Sequence, residues 1–418
     1  MTHGTVVAAA LAGCLFGWNA PRPKPVPPTS EVAVREVRLG NGPSHLAVRD
    51  GTLFVSGFHS GRVSAHDLLS GKALRETLLD AYEVPADPKA GLPARKAHEC
   101  AGGPLVSAAD RLFVAQTFSE FVLVMDPATL RVVKRLPLGG EGAMAVAPDG
   151  SFVVFASNKK DEFHLIDPKT YHHTTVAYPP GGRGIGAVAV SPDGRFVTLG
   201  IQRGWTPPDG PIDFSKATRK PKEHADGRSK LVGQSFLAVY DIRVRRYVAT
   251  VNLAEPVSAE RPDEADSGSP FALAFNRDGN KVYAGMFQSK SGVRVIDTTG
   301  WRLSGDIRFA PNADNTREWT NPIRLAVYRD WLFVANREND EAIVVDTRSD
   351  KPGDRLRYEG GGDGFTGFAV EADRIYLAGG RGQSVRELDG WSLARRLASR
   401  PGGDSGPPLE LTLTVAPH

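Results

Sequence analysis

The chain has 418 residues, 41% hydrophobic and 24% charged, enough apolar material for a core and too much for a disordered chain. Its 51 basic and 48 acidic residues leave a formal charge of +3, and with no dense Lys/Arg stripe a nucleic-acid partner is excluded. Only Cys14 and Cys100 are cysteines, so no disulfide framework carries the fold and its stability must come from packing.

The chain opens on an apolar, small-residue stretch from Thr5 to Trp18. It is shorter than the roughly 20 residues a membrane-spanning helix needs and reads as an export signal. Leu11-Ala12-Gly13-Cys14 resembles the lipobox of bacterial lipoproteins, which implies that Cys14 becomes a lipid-bearing mature N-terminus. The region before it departs from the usual signal, with only His3 where Lys or Arg is expected. Five prolines between Pro21 and Pro28 then form an extended spacer. The expected boundaries are a signal over 1–13, a linker over 14–31, a single folded domain over 32–400 and a Gly/Pro-rich tail over 401–418 that could add a strand. The expected location is the bacterial cell envelope, after export.

From residue 34 onward one unit recurs. Its second segments are Leu53–Gly57, Leu112–Ala115, Phe152–Ala156, Phe196–Gly200, Val282–Gly285, Leu332–Ala335 and Ile375–Gly379, each preceded by a short apolar run such as His45-Leu46-Ala47-Val48 or Leu325-Ala326-Val327. The third segments end at Asp67, Asp126, Asp167, Asp241, Asp297, Asp346 and Asp389. Counted from Phe54, Phe113, Val153, Tyr283, Phe333 and Tyr376, the interval to the Asp is 13 or 14 residues, whereas from Val197 to Asp241 it is 44 because residues 204–234 are inserted. Short β-branched and aromatic runs alternating with turn signals read as four-stranded antiparallel meanders. Seven such meanders predict an all-β, seven-bladed β-propeller.

The unit resembles the YVTN family of seven-bladed propellers. That family's Ser-Pro-Asp-Gly turn stands here as Ser191-Pro192-Asp193-Gly194, and its Ile-Asp strand end as Ile166-Asp167 and Ile296-Asp297. Tyr-Val-Thr-Asn itself is absent, its place taken by runs such as Leu332-Phe333-Val334-Ala335-Asn336. The repeated Asp residues are read as turn caps rather than a catalytic ring. Residues 34–39 match a fourth strand without a preceding partner and are expected to close the ring against the last blade, with 393–399 and 410–415 as competitors.

In a meander the two-to-three and blade-to-blade connections share one face. The long segments 80–101, 204–234, 254–270 and 310–321 all fall in such connections, and long ordered loops are usually functional. The candidate ligand-binding residues on that face are His59, Lys159, Arg203, Trp205, Trp319, Arg337 and Arg381: basic side chains at the rim for an anionic ligand, and tryptophans as rigid anchors. His98, Glu99 and His224 are candidate metal ligands, though adjacent side chains on an extended chain point to opposite sides.

No cofactor is expected. There is no Cys-x-x-Cys-His, and the glycines at 184 and 186 lead into a strand rather than a phosphate-binding helix. Three functions are consistent with the residues. The first is an exported monomeric module, tethered through its lipid, that binds a protein, peptide or glycan partner and performs no chemistry. The second is a lactonase-like propeller hydrolase with its site in the axial funnel, and the third an oxidoreductase carrying a cofactor over the same face. The binding module is preferred because it needs nothing the sequence lacks.

Overall fold

The computed structural model describes residues 34–39, 42–58, 60–84, 93–98, 102–203, 222–223, 229–230, 235–254, 256–258, 261–265, 268–287, 289, 292–309, 322–336, 341–357, 365–371, 373–379, 384–398 and 410–412. Seven antiparallel blades of four strands, one of them extended by a fifth strand, account for most of them. Blade 1 contains Pro43–Arg49, Thr52–Gly57, Arg62–Asp67 and Ala73–Leu78, and blades 2 to 6 repeat this meander with inner strands Gly102–Ala108, Gly142–Val146, Arg183–Val190, Ser269–Phe275 and Pro322–Tyr328. Blade 7 takes three strands from Phe365–Glu371, Arg374–Gly379 and Ser384–Asp389, and its outer strand is Val34–Arg38 from the other end of the chain. The expected closure is therefore observed. The two competitors lie elsewhere: residues 390–398 form a helix, α1 (Gly390–Ala398), and Glu410–Thr412 pairs in parallel with the outer strand of blade 6.

Each first strand touches the first strands of both neighbouring blades, so seven inner strands close a ring about the axis. Radial position sets burial. Second strands such as Arg111–Gln116 are almost wholly buried, inner strands are half-buried, and outer strands such as Ala73–Leu78 are mostly exposed.

Strand alternation explains how one blade serves two neighbours. In Arg111–Gln116, Leu112 and Val114 join Phe54, Val63 and Leu105 between blades 1 and 2, while Phe113 and Ala115 join Val153 and Phe155 between blades 2 and 3. Seven such clusters occupy the seven interfaces, the last joining Val37 and Tyr376 of blade 7 to Leu53 and Val55 of blade 1. Near the axis the blades approach so closely that a Cβ on Gly186 of blade 4 would lie 2.0 Å from the Pro270 carbonyl oxygen of blade 5.

The extra structure is one-sided. Hairpins Tyr82–Val84/Arg95–Ala97 and Pro256–Ser258/Arg261–Ala265 stand in blade-to-blade connections, and Lys222–Glu223/Ser229–Lys230 in the two-to-three connection of blade 4. All three leave the same face.

Candidate functional site

The site follows from an irregularity at the start of the inner strands, on the loop-bearing face. Strand pairing slips between Pro43 and His45, between Pro270 and Ala272, between Pro322 and Arg324 and between Phe365 and Gly367. Such bulges turn the strand and re-aim a side chain. The register makes His45, Ala143, Ala187, Ala272, Arg324 and Gly367 equivalent, with Pro104 in the corresponding place in blade 2. Five blades thus present a small side chain, a ring or none at this level, and only blades 1 and 6 present a long polar one.

Those two meet. Arg324 Nη2 lies 2.7 Å from His45 Nε2, although blade 7 stands between their blades in the ring. The pair therefore bridges past the inner edge of blade 7, at the end of the inner strands that faces the long loops. Arg324 Nη1 donates to the Ile323 carbonyl at 2.8 Å. On the other side of the imidazole, Nδ1 is 3.3 Å from Ser44 Oγ, which donates to the Ser56 carbonyl at 2.8 Å and accepts from the Phe58 amide at 3.1 Å. A guanidinium can only donate, so Nε2 must be the acceptor and Nδ1 must carry the proton.

Electrostatics agree with that tautomer. Burial, and then the neighbouring Arg324 charge, hold His45 well below the usual histidine range, so the ring is neutral. Burial alone pulls Arg324 down to about 10, still protonated at neutral pH, and among the described residues no carboxylate lies within ion-pair distance of it. Arg294 and Arg355, also largely buried, sit against Asp306 and Glu341.

Aromatic side chains stand on the same face. Phe271, at the bulge of blade 5, packs on Phe287 with ring centroids 4.9 Å apart. Phe118, 46% exposed in the two-to-three turn of blade 2, lies 5.1 Å from Tyr82 of the first extra hairpin. Gln116 Nε2 donates to the Asp80 carbonyl at 2.6 Å and ties that hairpin to blade 2.

Of the residues singled out by sequence, Lys159 is placed on the loop-bearing face, with Nζ 2.9 Å from both the Glu120 carboxylate and the Ser119 carbonyl. It is a locally paired cation between blades 2 and 3. His98 Nδ1 lies 2.7 Å from the Leu79 carbonyl. Arg203 ends the second strand of blade 4, with only its backbone described. Cys14, His59, Glu99, Trp205, His224, Trp319, Arg337 and Arg381 lie outside the described residues. Among the described residues no three His, Cys, Asp or Glu side chains gather as a metal site.

No family model matches the sequence, and no curated protein matches it. Among solved structures, hydrazine synthase of Kuenenia stuttgartiensis is similar over 84% of this chain and 96% of its own, with TM-score 0.57 and 14% identity. Virginiamycin B lyase of Staphylococcus aureus is similar over 86% of this chain and 99% of its own, with TM-score 0.60 and 11% identity. At these identities the likeness is one of fold.

Proposed function

We propose that this propeller is an exported binding module of the YVTN type, whose loop-bearing face receives a protein, peptide or glycan partner. One observation carries the reading: every extra hairpin in the described structure leaves the face on which the axial channel opens beside Arg324 and His45. Concave mouths lined by apolar surface with a few convergent polar groups are where ligands bind. Phe118, Phe271 and Phe287 offer apolar surface on that face, and in the sequence Trp205, Trp319, Arg337 and Arg381 fall in connections whose flanking strands end there. The segment ending at Cys14 suits export with lipid attachment, the Pro-rich stretch serving as tether.

Excision of residues 207–229 with a short Gly/Ser join tests the binding face. The propeller is expected to fold, because six blades make the same connection without an insertion, while a partner recovered by pull-down or glycan screening binds more weakly. Unchanged affinity in a folded variant would move the binding face elsewhere. Cys14→Ser tests the tether, since a hydroxyl forms no thioether: the protein is expected to leave the membrane fraction, and continued fractionation with membranes would contradict it.

A further inference from the structure

A guanidinium largely withdrawn from water, with no carboxylate beside it among the described residues, is costly, because burying a charge is offset only by a well-placed partner. Arg294 and Arg355 have that partner; Arg324 has a neutral imidazole and a backbone carbonyl. Among the described residues these two acceptors occupy two of its five N–H groups. Three remain in a planar fork, the geometry that takes two oxygens of a carboxylate or phosphate side by side.

The other inner strands bring no long side chain to this level. They present Pro104, Ala143, Ala187, Ala272 and Gly367 there, so among the described inner-strand residues at this level none competes with a group bound to Arg324. His45 is fixed from behind through Ser44, Ser56 and Phe58 and anchors Nη2 without contributing a second positive charge. Preorganised in this way, the fork loses little freedom when an anion arrives.

We propose that Arg324 and His45 form an oxyanion subsite, in which a carboxylate or phosphate group of the ligand enters the channel from the loop-bearing face and binds the open N–H groups of Arg324. Arg324 is the binding group and His45 a positioning residue. The inference rests on the reading of the loop-bearing face as the binding face for the direction of entry only, since every group that makes the subsite belongs to the inner ring.

The probes are inorganic phosphate and succinate, titrated calorimetrically into the full chain at matched ionic strength against chloride. The wild type is expected to bind at least one of them, tighter phosphate binding indicating a phosphoryl group on the natural ligand and tighter succinate binding a carboxylate. Arg324→Gln should weaken that binding by roughly 30-fold or more, as for loss of one partner of a desolvated charge pair. Without added anion it should melt no lower than the wild type, because an uncompensated charge has been removed. Arg324→Lys keeps the charge but loses the fork and should fall between the two. His45→Leu should weaken binding less than Arg324→Gln does. Deletion of 207–229 should leave phosphate and succinate affinity unchanged, so loss of the larger partner in that variant and loss of anion binding in Arg324→Gln report on separate claims. The subsite is overturned if the wild type binds neither probe above chloride, or if Arg324→Gln binds them as well as the wild type. It is also overturned if Arg324→Gln and Arg324→Lys both melt well below the wild type with anion binding retained.

Discussion

The third and fourth strands are joined by the same device in blades 1 to 6. The Asp at the strand end accepts a backbone N–H two or three residues on, from Ser70, Thr129, Lys169, Arg243, Thr299 and Arg348 in turn. Four residues after the Asp the chain passes through the left-handed region at Gly71, Leu130, Tyr171, Arg245, Trp301 and Asp350. The bonds hold the Asp126 and Asp167 carboxyls below the usual carboxylate range, through the Thr129 side chain first in one and the Lys169 amide first in the other. Asp126→Ala is expected to cost about 0.5–2 kcal/mol, as for a lost capping side chain. Arg245→Gly, at a φ of 53°, should be neutral or stabilising by up to about 1 kcal/mol, because glycine adopts that conformation without a Cβ clash. Urea unfolding of the two variants checks both signs. This role of the Asp residues was legible in the sequence because the residue, its spacing and the following turn residues all recur.

Protonation belongs to the same scale. Burial before any other cause lowers His45, His66 and His164 below the ordinary value of 6.5, His164 to about 4. With folded values below unfolded ones, the unfolded chain takes up protons that the native state refuses as the pH drops below about 6.5. Stability is thus fullest above that value and declines towards pH 4 as the unfolded chain charges. Thermal melts at pH 7.5 and pH 5 should show the decline, and His164→Gln should shallow it. An equally steep decline in His164→Gln would show that His164 contributes nothing to it.

At the scale of elements, the N-terminal strand closes the ring. Val34–Arg38 pairs residue for residue with Ser384 to Leu388, and Val37 and Leu39 are buried between blades 7 and 1. Removing residues up to 39 is expected to destabilise by several kcal/mol, at roughly 1.5–3 kcal/mol for each buried aliphatic side chain, with an exposed sheet edge besides. Removing residues after 400 strips, among the described residues, the three-residue parallel strand from the edge of blade 6 and should cost little. Chemical denaturation of the two truncations separates these outcomes, and equal losses would contradict the closure. The unpartnered fourth-strand pattern at residues 34–39 made this strand legible. Helix α1 was hidden because a single apolar face of Leu393, Ala394 and Leu397, packed between blades 6 and 7, is too short to show a period against a repeat dominated by strands. The extra hairpins were hidden for the opposite reason, being pairs of two to five residues within polar loops.

For the molecule as a whole, the arrangement of blades and the face of the insertions were readable, since repeat spacing and strand parity determine both. The groups inside the mouth were not. His45 and Arg324 each precede an identical Leu-Ala-Val run in an inner strand and looked like strand starts. The available signal was comparative: aligned across the blades, theirs are the only long side chains at that level. Lys159, a rim cation in the sequence, stands beside Glu120 of the neighbouring blade. Charge in a loop says little until its partner is known, whereas a guanidinium among alanines and glycines at the axis is conspicuous once the ring is assembled.

Hydrogen exchange across the full chain, with and without a partner recovered by pull-down, tests the assignment of the working face most directly. Slowed exchange is expected at the inner-strand starts near Ser44 and Ile323 and in the connections spanning 80–101, 204–234 and 254–270. None is expected at the one-to-two turns of the opposite face, such as Asp50-Gly51 and Asp149-Gly150. Protection confined to those turns and to the Asp-closed three-to-four turns would contradict that assignment.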